Sequence, residues 1–319
     1  MTAVVTEKVK SPPALHVVAA ILVALSAFFL FGLRLALPTW TTEFFGFTVA
    51  VPVWSWGIGY VLLATGLLLA RRLDRELLKD LGLIGIGIGI VSVTSVEADV
   101  GWSSFFRIGT VLVLAVTVPV LIDRLVFKRR AIRFPFRTGR KWSRLEKSYL
   151  VAVPFLGWLI LPYYFISSGT YLNWPHITDT SELIRFFIGV NFVGTWDELF
   201  FICTCFALFR RHFPVWLSNL LQATIFISFL WELGYRSWGP FITAPFALLQ
   251  GYIFTKTGSL TYVLIVHLLF DVVVFFALNR GSELSFEGTC CLHELIFRFV
   301  LDDERRWSET LDLELTRVG

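Results

Sequence analysis

Long apolar runs alternate with short polar connections along almost the whole chain. The runs approach the roughly 20 residues that a helix needs to cross a bilayer. They fall at about 15–37, 49–70, 78–96, 105–127, 148–168, 184–209, 213–235, 239–256 and 259–279. The third and eighth are the least apolar and read as short, tilted or re-entrant. Each run predicts a helix, because lipid offers no partner to an open strand edge. The expected fold is all-α: a polytopic transmembrane helical bundle of about eight to nine spans.

Composition agrees with the pattern. Of 319 residues, 56% are hydrophobic and 16% charged, against about 25% charged in a soluble domain. The mean hydropathy is +0.71. A soluble globular fold is excluded. The first run is longer than a signal-peptide core and carries Arg34 near its far end, so it reads as a retained span.

Placement of charge says more than its total. The connection 128–147, KRRAIRFPFRTGRKWSRLEK, holds nine Lys and Arg against the single Glu146. The positive-inside rule makes it cytoplasmic. Arg71, Arg72, Arg75, Lys79, Arg210, Arg211 and Lys256 fall on the same side. EADVGWSS (97–104) and GTYLNWPHITDTSE (169–182) fall outside. A multi-pass protein of the cell membrane follows, with a cytoplasmic N-terminus. The expected organisation is a cytoplasmic segment 1–14, N-terminal transmembrane helices 15–168 including the basic loop 128–147, a transmembrane core 184–280, and an acidic C-terminal tail 281–319. The basic loop also suits anionic lipid or nucleic acid. A topology determinant accounts for it, and no nucleic-acid partner is expected.

Two conspicuous features yield no site. GLIGIGIGIV (82–91) lacks the spacing and βαβ context of a nucleotide loop. Its glycines predict close helix packing. Cys203 and Cys205 read as small buried residues. Cys290 and Cys291, in the tail's CCLHE cluster, could bind metal or carry lipid, and the tail is read as solvated or interfacial.

Ionisable residues within the runs carry the chemistry, since each costs about 2.5–3.5 kcal/mol at mid-bilayer on insertion scales. Asp197 and Glu198 stand adjacent in TWDELFFICTCFALFRR (195–211). Helix neighbours point about 100° apart, so one can reach a cavity while the other pairs with a neighbouring helix. A purely structural polar clamp is the bland alternative. His267 and Asp271 are spaced i, i+4 and share one helix face. The Asp can fix the imidazole tautomer or raise its basicity. The pairs are expected to meet, with His267 within about 8 Å of an Asp197 or Glu198 carboxylate. Glu232, four residues before Arg236, is a weaker candidate and equally an interfacial ion pair, expected farther out. A divalent ion would suit one His with several carboxylates, but no H-E-x-x-H pairing supports it. No cofactor is expected.

The segment at about 185–280 resembles the CPBP intramembrane proteases, which include CAAX prenyl endopeptidases and bacteriocin-processing or immunity proteins. GYIFTKTGSLTYVLIVHLLFD (251–271) carries the family's Thr-Gly-Ser-Leu turn, then His267 and Asp271 at its His and Asn/Asp positions. DELFF (197–201) resembles the paired-glutamate motif. LQATIFISFLWEL (221–233) stands in place of the Phe-xxx-His motif. The resemblance implies a helical fold enclosing a cavity open to the cytoplasmic side. A water is activated there by the first acid and the middle His, and the last His with its partner stabilises the oxyanion. Carried over, Asp197 takes the first-acid position and Glu198 the second, with His267 and Asp271 at the oxyanion positions. The chain departs from the pattern in four ways: Asp replaces Glu at 197, Ile202 replaces an Arg, Leu230 stands at the middle His, and Asp271 brings a carboxylate to an oxyanion site.

Three functions remain open at this stage. The first is an endopeptidase cleaving a membrane-associated or prenylated substrate, with Asp197 or Glu198 as general base and His267 polarising the carbonyl. The second is a catalytically degenerate immunity or scaffold protein of the same fold. The third is a proton-coupled transporter, for which no inverted repeat is visible.

Overall fold

The computed structural model describes residues 12–32, 51–136, 141–175, 177 and 179–284. The extreme N-terminus, Arg34, part of the basic loop and the tail with Cys290 and Cys291 lie outside them. The chain divides into two units, 1–278 and 279–319, and the bundle belongs to the first.

Among the described residues all regular structure is helical. α1 runs Ala14–Ala27 and continues as a π-helical turn, Phe28–Gly32. α2 is Val51–Leu73 and α3 Arg75–Ser92. α4, Trp102–Leu121, continues as a π turn over Ile122–Val126. α5 is Arg144–Ser167. α6, Thr180–Asp197, runs on as a π segment, Glu198–Phe206, and ends with Ala207–Phe209. α7 is Val215–Leu233, α8 Pro240–Thr257 and α9 Leu260–Leu284. Each apolar run of the sequence is matched by one of these helices, with ends shifted by a few residues.

Among the described residues six stretches are long and apolar enough to cross a membrane: 14–31, 54–73, 102–126, 144–167, 180–209 and 260–279. The others are more polar for visible reasons. α3 opens with Arg75, Glu76, Lys79 and Asp80. α7 carries Asn219, Gln222 and Glu232, all buried inside the bundle.

Local chemistry starts and stops the helices where the runs begin and end. Asp74 caps α3 by accepting from Glu76 N at 2.8 Å. Ser143 and Glu146 form a reciprocal capping box on α5. Asp179 caps α6 through Glu182 N at 2.8 Å. Each cap satisfies a backbone N–H that the first turn leaves open. Two of the four glycines of α3, Gly85 and Gly87, serve packing, while Gly82 and Gly89 face open space. A Cβ on Gly87 would overlap the ring of Phe200, and one on Gly85 would press on Leu63.

The two sets of connections separate by end. At one end Arg236 pairs with Glu97 at 3.1 Å and donates to Asn173, while Arg185 Nε donates to Val100 O at 2.7 Å. At the other end Arg129 and Arg211 meet the acids of α3, Leu260 N donates to Pro135 O, and the Tyr262 hydroxyl donates to Glu146 O. The central member is α6: its π segment packs against α3, α4, α7 and α8, and most of its 180–209 stretch is buried.

Candidate functional site

The site is built on α6 and α9. Thr257 and Gly258 end α8 and aim α9. Gly258 takes φ +61, a left-handed turn that glycine adopts at no steric cost, and its N–H bonds Phe254 O at 2.8 Å. The Thr257 hydroxyl accepts from Ser259 N, and Ser259 Oγ accepts from Tyr262 N, both at 3.3 Å. This turn reverses the chain in two residues. It sets the register of α9, which brings His267 and Asp271 onto the face that meets α6.

At mid-α6 the backbone passes from α to π geometry between Asp197 and Glu198. Single π segments inside α-helices recur at functional sites. The imidazole of His267 stands between the two acids. Its Nδ1 lies 2.7 Å from Glu198 Oε1, while Nε2 lies 3.6 Å from Asp197 Oδ2 and 3.7 Å from Asp271 Oδ1. With Glu198 ionised, Nδ1 carries the ring proton and donates it. Nε2 is then turned toward Asp197 and Asp271. All four side chains are at least nine-tenths buried. Phe246 packs edge-on against the imidazole at 5.0 Å, and Phe226 lies tilted at 6.1 Å.

A cavity of about 450 Å³ meets this cluster. Asp197, His267 and Asp271 line it, and Glu198 lies behind the ring. The adjacent acids therefore divide as their angular separation predicts: Asp197 reaches the cavity, and Glu198 pairs with neighbouring helices. One expectation is corrected. Glu198, rather than Asp271, holds Nδ1 and thereby the tautomer, because the π segment brings residue 198 to the far side of the ring. Three buried oxygens, Asp197 Oδ1, Glu198 Oε2 and Asp271 Oδ2, have no hydrogen-bond partner among the described residues.

Glu232 is fully buried and accepts from Val96 N at 3.4 Å, outside the lining of the cavity. It sits apart from the His267 cluster. Arg236 reaches Glu97 and Asn173. Leu230, at the middle-motif position, does line the cavity, whereas Ile202 is fully buried. Among the described residues no group of three or more His, Cys, Asp and Glu forms a metal-holding set. The ring of His267 separates Glu198 from the other two acids, so the donors do not converge on one point.

Two members escape sequence reasoning. Gln250 on α8 donates through Nε2 to Glu198 Oε1 at 2.8 Å and to Val263 O at 3.3 Å. Its signal was an amide in an apolar run, easily passed over because it does not ionise. Gly194 lets Asp271 approach α6, since a Cβ there would overlap the Asp271 carboxylate and press on His267. A lone glycine gives no such warning in sequence.

Comparison with curated proteins and with solved structures gives no match. Residues 179–273, which hold Gly194, the acid pair, Gln250, His267 and Asp271, match the type II CAAX prenyl endopeptidase Rce1-like family. With an all-helical bundle and six stretches able to cross a membrane among the described residues, the chain is a membrane protein, and the segment that builds its buried cluster is similar to the CAAX prenyl endopeptidases.

Proposed function

We propose that the protein is an intramembrane endopeptidase that cleaves a membrane-associated or prenylated substrate with a carboxylate-activated water. One observation carries the reading: His267 is held at Nδ1 by Glu198, with Nε2 turned to a cavity that Asp197 and Asp271 share. Asp197 is the general base. It takes a proton from water as the oxygen attacks the scissile carbonyl, and returns a proton to the leaving amine. As the imidazolium, protonated at both nitrogens, His267 donates from Nε2 to the developing oxyanion while Nδ1–H stays on Glu198, and Glu198 stabilises the ring's positive charge from behind. Gln250 holds Glu198 in place. Asp271 limits where Nε2–H points.

The test is cleavage of a prenylated and membrane-peptide library by purified protein, comparing wild type with Asp197→Asn and Glu198→Gln. The reading expects wild-type cleavage and its loss in the first variant. Wild-type activity in both variants overturns it.

Leu230 supports a second reading, a degenerate scaffold of the same fold. It lines the cavity where the resemblance places a water-activating His. Under that reading wild type is inactive and Leu230→His alone confers cleavage. The peptidase reading expects Leu230→His to change an activity already present.

The charge pattern further supports a cell-membrane protein whose basic end, carrying Arg129, faces the cytoplasm. In intact cells an impermeant thiol reagent should label Asn173→Cys and spare Lys128→Cys. The reverse pattern inverts the orientation.

A further inference from the structure

The basic segment is fastened to the bundle at two places. Arg129 is committed to Glu76, Asp80 and Asp123. Asp123 also accepts from Ala131 N at 2.7 Å and Ile132 N at 3.3 Å, and Ile132 is fully buried. The residues that follow cross to α9. Phe134 packs against both apolar clusters of the core. Pro135 O accepts from Leu260 N at 3.0 Å, and Phe136 O accepts from the Thr261 hydroxyl. At the start of α5, Trp142 meets the Tyr262 ring at 5.4 Å, and Glu146 O accepts the Tyr262 hydroxyl at 2.9 Å. Two stretches, 128–136 and 141–147, thus strap the first turn of α9. Leu260 in that turn is seven residues before His267, about 10 Å of helix.

Six other cations of these stretches point away from the core: Lys128, Arg130, Arg133, Lys141, Arg144 and Lys147 are exposed. Among the described residues none of them lies within ion-pair distance of a carboxylate. The one acid in the segment, Glu146, accepts from Ser143 N at 2.6 Å in the capping box. Phe136 and Leu145 stand among the cations, 52% and 79% exposed. The stretches join 102–126 to 144–167, both long and apolar enough to cross a membrane, so they lie at the bilayer surface. A topology signal needs the charges alone. It does not need them fastened to α9.

We propose that 128–136 and 141–147 form a binding surface for anionic phospholipid headgroups, and that bound headgroups hold the strap, and with it the first turn of α9, in place. Cations without counter-charges bind the headgroup phosphates, and the exposed apolar side chains enter the acyl boundary beneath them. Nucleic acid would use the cations and leave Phe136 and Leu145 in water. The surface works in this way whether or not the protein cleaves a peptide.

The test uses the full chain in nanodiscs of phosphatidylcholine, alone or with about one lipid in four replaced by phosphatidylserine. Hydrogen exchange is read at the amides of Leu260 and Tyr262. Each cation near an anionic surface is worth about fivefold in affinity, so exchange should be at least about tenfold slower in the anionic discs. A photoreactive phosphatidylserine should cross-link to 128–136 and 141–147, and its phosphatidylcholine twin should not. Replacing three exposed cations together, Arg130→Gln, Lys141→Gln and Lys147→Gln, should erase both effects and leave exchange in phosphatidylcholine unchanged. Tyr262→Phe removes a tie and no charge, so it should keep the cross-links and lose part of the slowing. Equal wild-type exchange in the two discs, or cross-links confined to other segments, overturns the proposal, and neither result depends on a variant folding. Equal slowing by inorganic phosphate or an RNA oligonucleotide in phosphatidylcholine discs overturns the assignment to lipid.

Discussion

Two charge clusters, one partly exposed and one fully buried, sit at different heights of the same bundle, and they are built on different rules. At the end expected to face the cytoplasm, Arg129 reaches Glu76 at 2.8 Å, Asp123 at 2.7 Å, and Asp80. Asp80 also meets His212 at 2.7 Å and Arg211 at 3.3 Å, and Asp123 accepts from Ala131 N. No buried carboxylate oxygen in this cluster lacks a partner among the described residues. Burial disfavours the Arg129 charge, but Asp80 and Asp123 outweigh it and hold the guanidinium's pKa above its usual value. The midplane cluster has three acids around one imidazole and leaves three of their oxygens without a hydrogen bond. A cluster that closes on itself joins helices. One that leaves acceptors open beside a cavity keeps its valence for something else.

This comparison is broken most readily at its two centres. Asp197→Asn should lower cleavage by about 10²–10⁴-fold, the usual contribution of a general base. The melting of the detergent-solubilised protein should move by no more than about 1 kcal/mol. A large loss of stability with no change in rate would make the midplane cluster another clamp. Arg129→Ala should do the opposite. It leaves Asp80 and Asp123 buried and short of a cation, costing about 3–5 kcal/mol in thermal unfolding, with catalysis per folded molecule retained. A stability change below about 1 kcal/mol would show that the end cluster holds nothing together.

Gly194→Ala sharpens the comparison at smaller scale. The added methyl forces Asp271 away from α6, and overpacking of this kind costs about 1–3 kcal/mol. Cleavage should fall while substrate affinity holds. Wild-type turnover by this variant would remove Asp271 from the site. The smallest effect is expected at Asp99, outside the spans. The Ser104 hydroxyl, then Gly101 N–H, hold its pKa below the usual carboxylate value. The stabilisation is therefore complete above about pH 4 and is lost as pH falls through the depressed value. Ser104→Ala should flatten the acid side of the stability profile by a few tenths of a kcal/mol. An unchanged profile would detach Asp99 from Ser104.

The sequence by itself determined which stretches become helices, because an apolar run of bilayer length has no other way to satisfy its backbone. It determined the grouping of connections at two ends through the placement of Lys and Arg. It also marked Asp197, Glu198, His267 and Asp271, since ionisable groups in such runs are costly enough to stand out. The tertiary structure alone decided how these four divide. Residues 197 and 198 are adjacent in the chain, yet one faces a cavity and the other lies behind an imidazole. That division depends on a π segment in α6 and on the register that the Gly258 turn imposes on α9. Neither has a composition of its own. Gln250 and Gly194 were decided the same way. A neutral amide costs too little to be conspicuous in an apolar run, and a glycine's missing side chain has meaning only once another helix has come to occupy its place.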